Sequence, residues 1–509
     1  MTDVVQNTDQ SAEGTCIMTS RITRRRFLGN VGGAGGVLFL PSAGMARGYP
    51  ANERLDLAVV GMAGYGAYHG FAEAIHTYDR VRYAFSCDVD QRKVQRVYDF
   101  WAERAREWSN SADGNRRHAA AAYYGPLSEK KPPLYRDFRR MFDQVGRQID
   151  AVVVATPDHT HAVIAAAALR AGKPVLAEKP LTISAHEARV LHRLVQQHPQ
   201  PTQMNNGGAA SPGFRRGVEI LRAGEIGPVR QVHVFFSRGG RNFQQPPQGG
   251  HPVPPELDWN LWLAQVAWRE YDPGWINRIA WRDTSLGELG NFGPHSANMA
   301  FMGLNVRRLW DAGETTGRIR VQAECSETNS LSYPRWERIR WEIPQREGMP
   351  PVTFTWHHGH PPDYAPGSRT LLTDLLQEHG ASEQEAERLL PNAGCILQGS
   401  RGLLVTNSHN TTVRLLPDPH FEDVPQVQPL HTATSPGHYR EWLDACRGGS
   451  MPISNFDYAA PFAEFLCVGS IATRFPGDTL DFDPVSGRIT NHGDAAAFLE
   501  YPYREGWTI

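Results

Sequence analysis

The sequence lacks the features that mark several large classes of protein. Its six cysteines form no CxxC pair or other metal-ligand spacing, which argues against a cysteine metal site. Lysine and arginine (52) nearly balance aspartate and glutamate (54), and no block of like charge occurs, so no basic footprint for nucleic acid is expected. No internal repeat or low-complexity segment is present. What remains is a globular chain of 509 residues, long enough for two domains with sizeable cores.

The first 46 residues have the pattern of an export signal. TRRRFLG at residues 23–29 places arginines directly before an apolar pair, a weakly apolar run follows at residues 31–40, and small residues lead to Ala46. The paired arginines resemble the twin-arginine type, so we expect a periplasmic or otherwise exported protein that uses the twin-arginine machinery. The alternative is a disordered basic leader. No other stretch approaches the roughly 18 apolar residues of a stable membrane span.

Residues 53–205 alternate between apolar strands and helical segments. The strands are predicted at residues 55–61, 81–90 and 149–157 and around VLAEKP at residues 175–180. Short, continuously apolar strands separated by helices are typical of a doubly wound parallel sheet. We therefore predict an α/β Rossmann domain over residues 53–205.

Residues 206–509 follow a different pattern. Apolar and polar residues alternate at residues 227–239, 317–324, 335–344 and 351–359, and helical spacing returns at residues 438–449 and 459–475. Alternation of this kind is typical of antiparallel strands with one wet face. We predict an α+β domain with a largely antiparallel, open-faced sheet.

A glycine-rich loop follows the first predicted strand, where a dinucleotide fingerprint belongs. The loop contains Gly61, Gly64 and Gly66, and Ala63 stands at the usual position of the middle glycine. Glycines there let the backbone approach a pyrophosphate at a helix N-terminus. Because strand–helix turns need glycine for other reasons too, the loop alone is weak evidence.

Asp88 strengthens the prediction of a dinucleotide site. It ends the second predicted strand, where a carboxylate can hold the ribose hydroxyls. A carboxylate there repels a 2′-phosphate, which favours NAD over NADP, although Arg92 is close enough in sequence to weaken that preference. NAD is the expected cofactor.

Together with these glycines, ATPDHTHA at residues 155–162 and AEKPLT at residues 177–182 resemble the Gfo/Idh/MocA oxidoreductases. The resemblance implies that Lys179 reaches the nicotinamide and the reacting sugar hydroxyl, that Glu178 packs near the nicotinamide, and that the bond to Pro180 is cis. It further implies that the remaining cofactor-binding residues of these motifs are Thr156, Pro157 and His161.

The likeness extends over residues 55–507. LDWNLWL, SLGELGNFGPHSANMAF, HYREWLDACRGG, SNFDYA and the closing YREGW resemble a bacterial branch of the family with exported members. The resemblance implies that the second-domain sheet packs behind the active site and often mediates oligomerisation, so we expect a homo-oligomer.

The second-domain motif departs from the family pattern. The family places an acid and a histidine at G-D-x-G-x-H, whereas this chain has Asn291 and His295. An amide can hydrogen-bond a hydroxyl but cannot take up a proton. The predicted catalytic residues are therefore Lys179 and His295, which share the proton transfer, with Asn291 holding the substrate.

Two groups of histidines suggest a metal site only weakly. His159 and His161 lie one residue apart, but no third ligand is identifiable. His357, His358 and His360 form a denser cluster, which we interpret as polar surface residues. No metal is predicted.

The favoured function is hydride transfer between NAD and a hydroxyl carbon of a sugar or polyol. Export would place the enzyme where free cofactor is scarce, so the nicotinamide is expected to stay tightly bound. One alternative is redox-neutral, NAD-dependent cleavage of a glycoside, although the family's glycosidases typically lack the lysine that is intact here as Lys179. The other is a non-catalytic sugar-binding relative, which Asn291 favours slightly and Lys179 and His295 oppose.

Overall fold

The computed structural model describes residues 54–64, 80–238, 243, 245–311, 313, 317–426 and 428–509. The predicted export signal at residues 1–46 and Gly66 of the glycine loop lie outside the described residues.

A six-stranded parallel sheet forms the first half of the structure, as predicted. Its strands run in the order β3-β2-β1-β4-β5-β6, and every pair is parallel. The central strand β4 reads AVVV and is buried along its whole length, as expected for a sheet covered by helices on both faces. The strands are β1 Leu55–Val60, β2 Val81–Cys87, β3 Leu134–Tyr135, β4 Ala151–Val154, β5 Val175–Glu178 and β6 Thr202–Asn205.

Six described helices accompany this sheet: α1 Gln91–Ser109, α2 Gly114–Ala119, α3 Gly125–Glu129, α4 Phe138–Val145, α5 His161–Arg170 and α6 Ala185–Gln197. Local capping sets several of their starts. The second strand ends at Cys87 rather than at residue 90, because Asp90 caps α1 by accepting from the backbone amide of Arg92. Ser184 and Glu187 form a capping box at the start of α6.

A nine-stranded sheet forms the second half, in the order β13-β12-β11-β7-β10-β9-β8-β14-β15. All its described neighbours pair antiparallel except β7 and β10, which are parallel, so the prediction of a largely antiparallel sheet is confirmed. The strands are β7 Val229–Ser237, β8 Ile319–Cys325, β9 Glu337–Ile343, β10 Val352–Gly359, β11 Ala393–Gly399, β12 Leu403–Asn407, β13 Arg414–Leu416, β14 Thr479–Asp483 and β15 Arg488–Ile489.

Nine further described helices belong to this half: α7 Pro212–Ala223, α8 Trp259–Leu263, α9 Gly287–Ser296, α10 Asn298–Gly303, α11 Ser368–Glu378, α12 Glu383–Leu389, α13 His438–Cys446, α14 Phe456–Ala472 and α15 Gly493–Ala496. Short 3₁₀ turns occur at Gly146–Gln148, Asp158–Thr160, Gly207–Ala210, Pro273–Trp275, Val306–Trp310, Asp418–His420 and Ala497–Leu499, and a π turn at Ala120–Tyr124. None of the helices in these ranges is both long and apolar enough to cross a bilayer.

The prediction of one wet face holds for β8 and β9 but is wrong for β7 and β10, which are buried almost throughout. The reason is the segment that carries α11 and α12. It packs against this part of the sheet's outer face through a cluster that includes Phe235, Tyr364 and Leu372. A helical cover of this kind leaves no trace in the alternation of the strands themselves.

The prediction for two of the clustered histidines is wrong. His357 lies under the same cover, whereas His358 lies on the opposite face of β10 and stacks against Phe236 and Trp356. His357 and His358 are 1% and 2% exposed, and only His360 lies on the surface. His357 Nδ1 lies 2.8 Å from the hydroxyl oxygen of Ser368, at the start of α11. Burial lowers the pKa of both buried rings, to about 4 for His358.

Helices from the end of the chain pack against the parallel sheet. Trp442, Leu443 and Cys446 of α13 join the apolar cluster that contains β1, and Trp442 Nε1 donates to the carbonyl oxygen of Pro201 at 3.3 Å. Another apolar core continues without a break from the parallel sheet into the nine-stranded sheet. The boundary at residues 205 and 206 therefore stays a prediction. Four of the five described cysteines are buried free thiols, namely Cys87, Cys395, Cys446 and Cys467.

Candidate active site

A cavity of about 900 Å³ lies where the parallel strands end and α9 approaches them. The ends of parallel strands are where such sheets bind ligands. The predicted site residues within the described ranges all line this cavity: Gly61, Ala63, Gly64, Asp88, Thr156, Pro157, His161, Glu178, Lys179, Asn291 and His295. The fold thus brings residues from both halves of the chain to one place.

The glycine loop lies directly on the end of β4. Gly61 has a φ of +77°, and a Cβ there would come within 2.6 Å of the Ala155 backbone. A Cβ on Gly64 would come within 1.8 Å of the Ala155 carbonyl oxygen. Only glycine fits at these two positions. The loop therefore lies close against β4, and Gly61, Ala63 and Gly64 line the cavity on its other side. A pyrophosphate would bind there.

Asp88 holds the glycine loop in place. Its Oδ2 accepts from the backbone amide of Ala63 at 3.1 Å, and its Oδ1 accepts from the amide of Asp90 at 3.0 Å. Burial raises the pKa of Asp88, and the two amides oppose that rise. Each carboxylate oxygen can accept a second hydrogen bond, so Asp88 keeps the capacity to bind ribose hydroxyls. The glycine cradle and this carboxylate fit an adenine dinucleotide.

Arg92 is held by a neighbouring carboxylate. Its Nε and Nη2 donate to the two oxygens of Asp90 at 2.9 and 2.7 Å, in a bidentate pair. The guanidinium, which is the group that would attract a 2′-phosphate, is therefore paired with Asp90 at the helix cap.

The ATPDHTHA motif joins the ends of two strands. Thr156 Oγ1 accepts from the hydroxyl of Thr160 at 2.7 Å, and the carbonyl oxygen of Pro157 accepts from the amide of Thr160 at 3.0 Å. The ring of His161 bridges two backbone carbonyls, with Nδ1 2.7 Å from the oxygen of Pro180 and Nε2 2.8 Å from that of Thr156. His161 thereby ties the loop after β4 to the loop after β5.

His159 contacts Trp262 and, among the described residues, is not part of a metal site. Its Nε2 donates to the carbonyl oxygen of Trp262 at 2.9 Å, and the two rings pack with centroids 5.2 Å apart. Burial lowers the pKa of His159. Within the described ranges, no group of three histidine, cysteine, aspartate or glutamate side chains could hold a metal ion.

Lys179 follows the last residue of β5, and its peptide bond to Pro180 is cis, as the resemblance implied. Its Nζ donates to the backbone oxygen of Asn291 at 2.7 Å and to the side-chain Oδ1 of Asn291 at 3.0 Å. Burial lowers the pKa of Lys179 to about 8, and the guanidinium of Arg278 contributes to that lowering. Lys179 is therefore a cavity-lining amine whose pKa is close to neutral pH.

His295 lies one helical turn beyond Asn291 on α9. Its ring centroid is 4.4 Å from that of His409, and its Nδ1 is buried without a hydrogen-bond partner among the described residues. Burial lowers the pKa of His295 well below its usual value, and Lys179 and His409 lower it further. His295 is thus a neutral imidazole across the physiological range.

Several functional residues were not predicted from the sequence. Asp158 lines the cavity, and its Oδ1 accepts from Arg278 Nε at 3.0 Å. Glu288 lies behind the lining, and its Oε2 accepts from the Nδ2 of Asn291 at 2.8 Å. The buried Asp158 stands inside the ATPDHTHA motif, so its position beside two predicted residues was a usable signal. Glu288 precedes Asn291 by three residues, which is a helical spacing. Asn205 is the last residue of β6 and Tyr439 lies at the start of α13. Arg278 and His409 lie in turns, which carry no such signal.

The last residues of the described chain also reach the cavity. Arg504 Nε donates to the carbonyl oxygen of Ala264 at 3.0 Å, and its Nη1 donates to Asn260 Oδ1 at 2.7 Å. The ring of Trp507 lies 4.3 Å from the guanidinium carbon of Arg139 and lines the cavity. This C-terminal strap, residues 504–507, completes the wall beside the predicted cofactor site.

The six-stranded sheet, the glycine cradle and the acid after β2 define the first half of the structure as a dinucleotide-binding Rossmann domain. Residues 55–206 match the model of the Gfo/Idh/MocA family, described as an oxidoreductase family with an NAD-binding Rossmann fold. NAD is thus the cofactor that this segment is built to hold, as predicted.

Curated relatives support the same family over short segments. Inositol 2-dehydrogenase 1 of Saccharopolyspora erythraea is 41% identical over 86 residues, which cover 17% of this chain and 26% of the relative. An inositol 2-dehydrogenase of Corynebacterium glutamicum is 32% identical over 153 residues, 29% of this chain and 43% of the relative. The chain therefore spans less than half the length of these curated relatives.

Solved structures share the fold over most of the chain. GenD2 from gentamicin A biosynthesis, in complex with NAD, gives a TM-score of 0.50 at 17% identity, covering 86% of this chain and 99% of its own. An NAD-binding oxidoreductase from Klebsiella pneumoniae gives a TM-score of 0.50 at 15% identity, covering 86% and 100%. At these identities the likeness concerns the fold alone.

Proposed function

We propose that the whole chain is an NAD-dependent oxidoreductase of the Gfo/Idh/MocA family that transfers hydride between a hydroxyl carbon of a sugar or polyol and a tightly bound nicotinamide. The observation that carries this proposal is the position of Lys179. It is a half-buried amine with its pKa lowered to about 8, placed after β5 in the cavity that also holds the glycine cradle. An amine of this kind suits proton transfer near neutral pH.

The residues of this chain divide the work between binding and proton transfer. Gly61, Gly64 and Asp88 would hold the dinucleotide, which supplies the hydride acceptor when bound. In the direction of oxidation, neutral Lys179 accepts the proton of the substrate hydroxyl while the carbinol carbon gives up hydride. His295 remains neutral and orients the same hydroxyl through a ring nitrogen, because its pKa is too low for it to hold the proton.

The proposed substrate class is a cyclic polyol or a sugar. Two features support it. The relatives that match segments of this chain include inositol dehydrogenases, which act on a cyclic polyol by name. The cavity also offers a mixture of aromatic surfaces and hydrogen-bonding groups that suits a hydroxylated ring, namely Trp262, Trp275, Phe292 and Tyr439 beside Asn205, Asn277 and His409.

The first experiment asks whether the purified protein carries a nucleotide. The protein is unfolded and the released nucleotide is identified by chromatography, with release of NAD expected. The folded protein is then mixed with a panel of inositols, aldoses and glycosides while the absorbance of reduced nicotinamide is followed. Accumulation of reduced cofactor is the expected result. Product formation without accumulation would favour redox-neutral cleavage, and sugar binding without any turnover would favour a non-catalytic relative.

We also propose export by the twin-arginine route, which is supported by TRRRFLG at residues 23–29, and a homo-oligomeric state. Export of a folded protein would allow NAD to be bound before translocation. A cofactor retained in this way must be regenerated in place, either by reduction of a second sugar or within one catalytic cycle.

A further inference from the structure

The amide of Asn291 has a different partner at each end. Its Oδ1 accepts from Lys179 Nζ at 3.0 Å, and its Nδ2 donates to Glu288 Oε2 at 2.8 Å. A carboxylate only accepts and an ammonium only donates, so these two partners admit one orientation of the amide. Glu288 therefore determines which end of Asn291 faces Lys179.

The position of Glu288 is fixed by the fold. Glu288 and Asn291 lie three residues apart on α9 and share one face of that helix. They are 4% and 7% exposed, so solvent does not compete for the bond between them. The other carboxylate oxygen, Oε1, lies 3.8 Å from Nε of Arg238, whose side chain is 56% exposed and lines the cavity. Glu288 thus stands between a surface guanidinium and the buried amide.

We propose that Glu288 is a positioning residue for Lys179. It acts through Asn291, whose amide oxygen it directs at the lysine, and through its own charge, which stabilises the ammonium form of Lys179 across the amide. The inference deepens the proposed function and rests on it, because it assigns Glu288 a part in setting the direction and the charge state of the group that transfers the proton. Burial and the Arg278 guanidinium lower the pKa of Lys179, and Asp158, Glu178 and then Glu288 raise it.

A purely structural role for Glu288 is the competing interpretation. The residue lies in the first turn of α9, where a carboxylate also interacts favourably with the helix dipole. A structural carboxylate would affect melting temperature but not the titration of Lys179. The two interpretations therefore differ in a measurable way.

The decisive variant is Glu288→Gln, which keeps the size of the side chain but removes its charge. Glutamine also offers a donor to Asn291, so the amide is no longer held in one orientation. A matched control is Glu464→Gln in α14. Glu464 is also a buried glutamate, 2.6 Å from Arg189 Nε and 2.7 Å from Trp310 Nε1, and it does not line the cavity.

The first measurement is the reactivity of Lys179 toward trace acetic anhydride as a function of pH, followed by peptide mass spectrometry on the substrate-free protein. Half-maximal labelling is expected near pH 8 in the unaltered protein and at a lower pH in Glu288→Gln. If the pKa of Lys179 falls by about 0.5, the labelling rate at pH 7 rises by roughly threefold. Glu464→Gln is expected to label like the unaltered protein. An unchanged labelling profile in Glu288→Gln overturns the proposal.

The second measurement is kinetic. In Glu288→Gln the high-pH limit of kcat is expected to fall by about 10-fold with little change in KM, because misdirection of a reacting group costs rate rather than binding. In an Asn291→Ala background the same substitution should cost little more, since both act on one path. Equal losses in both backgrounds would contradict a path through Asn291.

The two proposals can fail separately. If no polyol or sugar is turned over, the proposed function fails, but the labelling profile still decides whether Glu288 acts on Lys179. If Glu288→Gln does not fold, Glu288→Asp provides the test, because it keeps the charge but is too short to hold Asn291 Nδ2. Glu288→Asp should retain the labelling pH and lose most of kcat. Full activity in this variant would overturn the positioning role.

Discussion

Lys179 Nζ lies 2.7 Å from the backbone oxygen of Asn291 and 3.0 Å from its side-chain oxygen. This contact joins the end of β5 in the parallel sheet to α9, which packs against the nine-stranded sheet. The predicted proton-transfer group is therefore held by the second half of the chain and supplied by the first. Substitutions on either side of the contact should affect the same chemical step.

Replacement of Lys179 by alanine should reduce turnover by roughly 10²–10⁴, the usual effect of losing a positioned acid–base group. Nucleotide content and melting temperature should change little. Lys179→Arg should not restore activity, because a guanidinium stays protonated. Lys173→Ala is the matched control, since Lys173 Nζ also donates to a backbone carbonyl, that of Ile149 at 2.7 Å, and does not line the cavity. Unchanged kinetics in Lys179→Ala would reduce Lys179 to a structural residue.

The pH dependence of turnover should follow Lys179. With its pKa lowered to about 8, Lys179 is charged below that pH and neutral above it. The rate of polyol oxidation should rise with pH up to about 8 and then level off, whereas the reverse reduction should fall over the same range. His295→Gln should lower the rate of oxidation by about 10²-fold or more. The rise of that rate toward pH 8 should remain, because His295 is neutral throughout this range. If the residual rate of Lys179→Ala still rose with pH toward 8, the titrating group would be one other than Lys179.

Replacement of Asp88 by alanine should weaken the binding of NAD far more than the binding of NADP. The lost carboxylate can no longer bind ribose hydroxyls or repel a 2′-phosphate, so a loss of roughly 10- to 100-fold for NAD is expected. Asp56→Ala is the control, because Asp56 is a carboxylate of β1 that accepts from Arg82 Nε at 2.6 Å, outside the cavity. Binding is measured by titration calorimetry. Equal losses for both nucleotides would mean that Asp88 acts only by holding the loop through Ala63.

Replacement of Arg24 and Arg25 by lysine should trap the precursor in the cytoplasm. The twin-arginine machinery requires the arginine pair, and lysine keeps the charge of the segment unchanged. A reporter fused to the first 60 or so residues is followed by cell fractionation, with the unaltered segment as the reference. Appearance of the lysine variant outside the inner membrane would exclude the twin-arginine route.

The parts of the fold that were predictable are those with a local pattern. Continuous apolar strands such as AVVV of β4 occur where both faces of a sheet are covered, so the parallel sheet followed from the sequence. The burial of β7 and β10 could not be predicted from the strands. It depends on α11 and α12, which come later in the chain and cover those strands. Alternation describes a strand and not what folds over it.

Some residues of the candidate site could likewise be predicted from the sequence, and others could not. Lys179 and Asp88 follow strands, and the ends of parallel strands meet at one edge, so these residues could be placed from sequence alone. Arg278 and His409 lie in irregular segments, and only the three-dimensional path of the backbone brings them to the cavity. The amide of Asn291 could be read from the sequence, at a position where the resemblance implies an acid. The carboxylate behind it, Glu288, required the orientation of α9.

The C-terminal strap has a consequence for the order of events during synthesis. Gly61 and Trp507 line the same cavity, although nearly the whole described chain separates them. At about 5–20 residues per second, a ribosome needs roughly 20–90 seconds to pass from one to the other. A nascent chain therefore exposes its glycine loop long before the far wall exists, and the cavity stays incomplete until residues 504–507 have been added. If the protein is exported in the folded state, as proposed, the complete cavity exists in the cytoplasm only between synthesis of this strap and translocation.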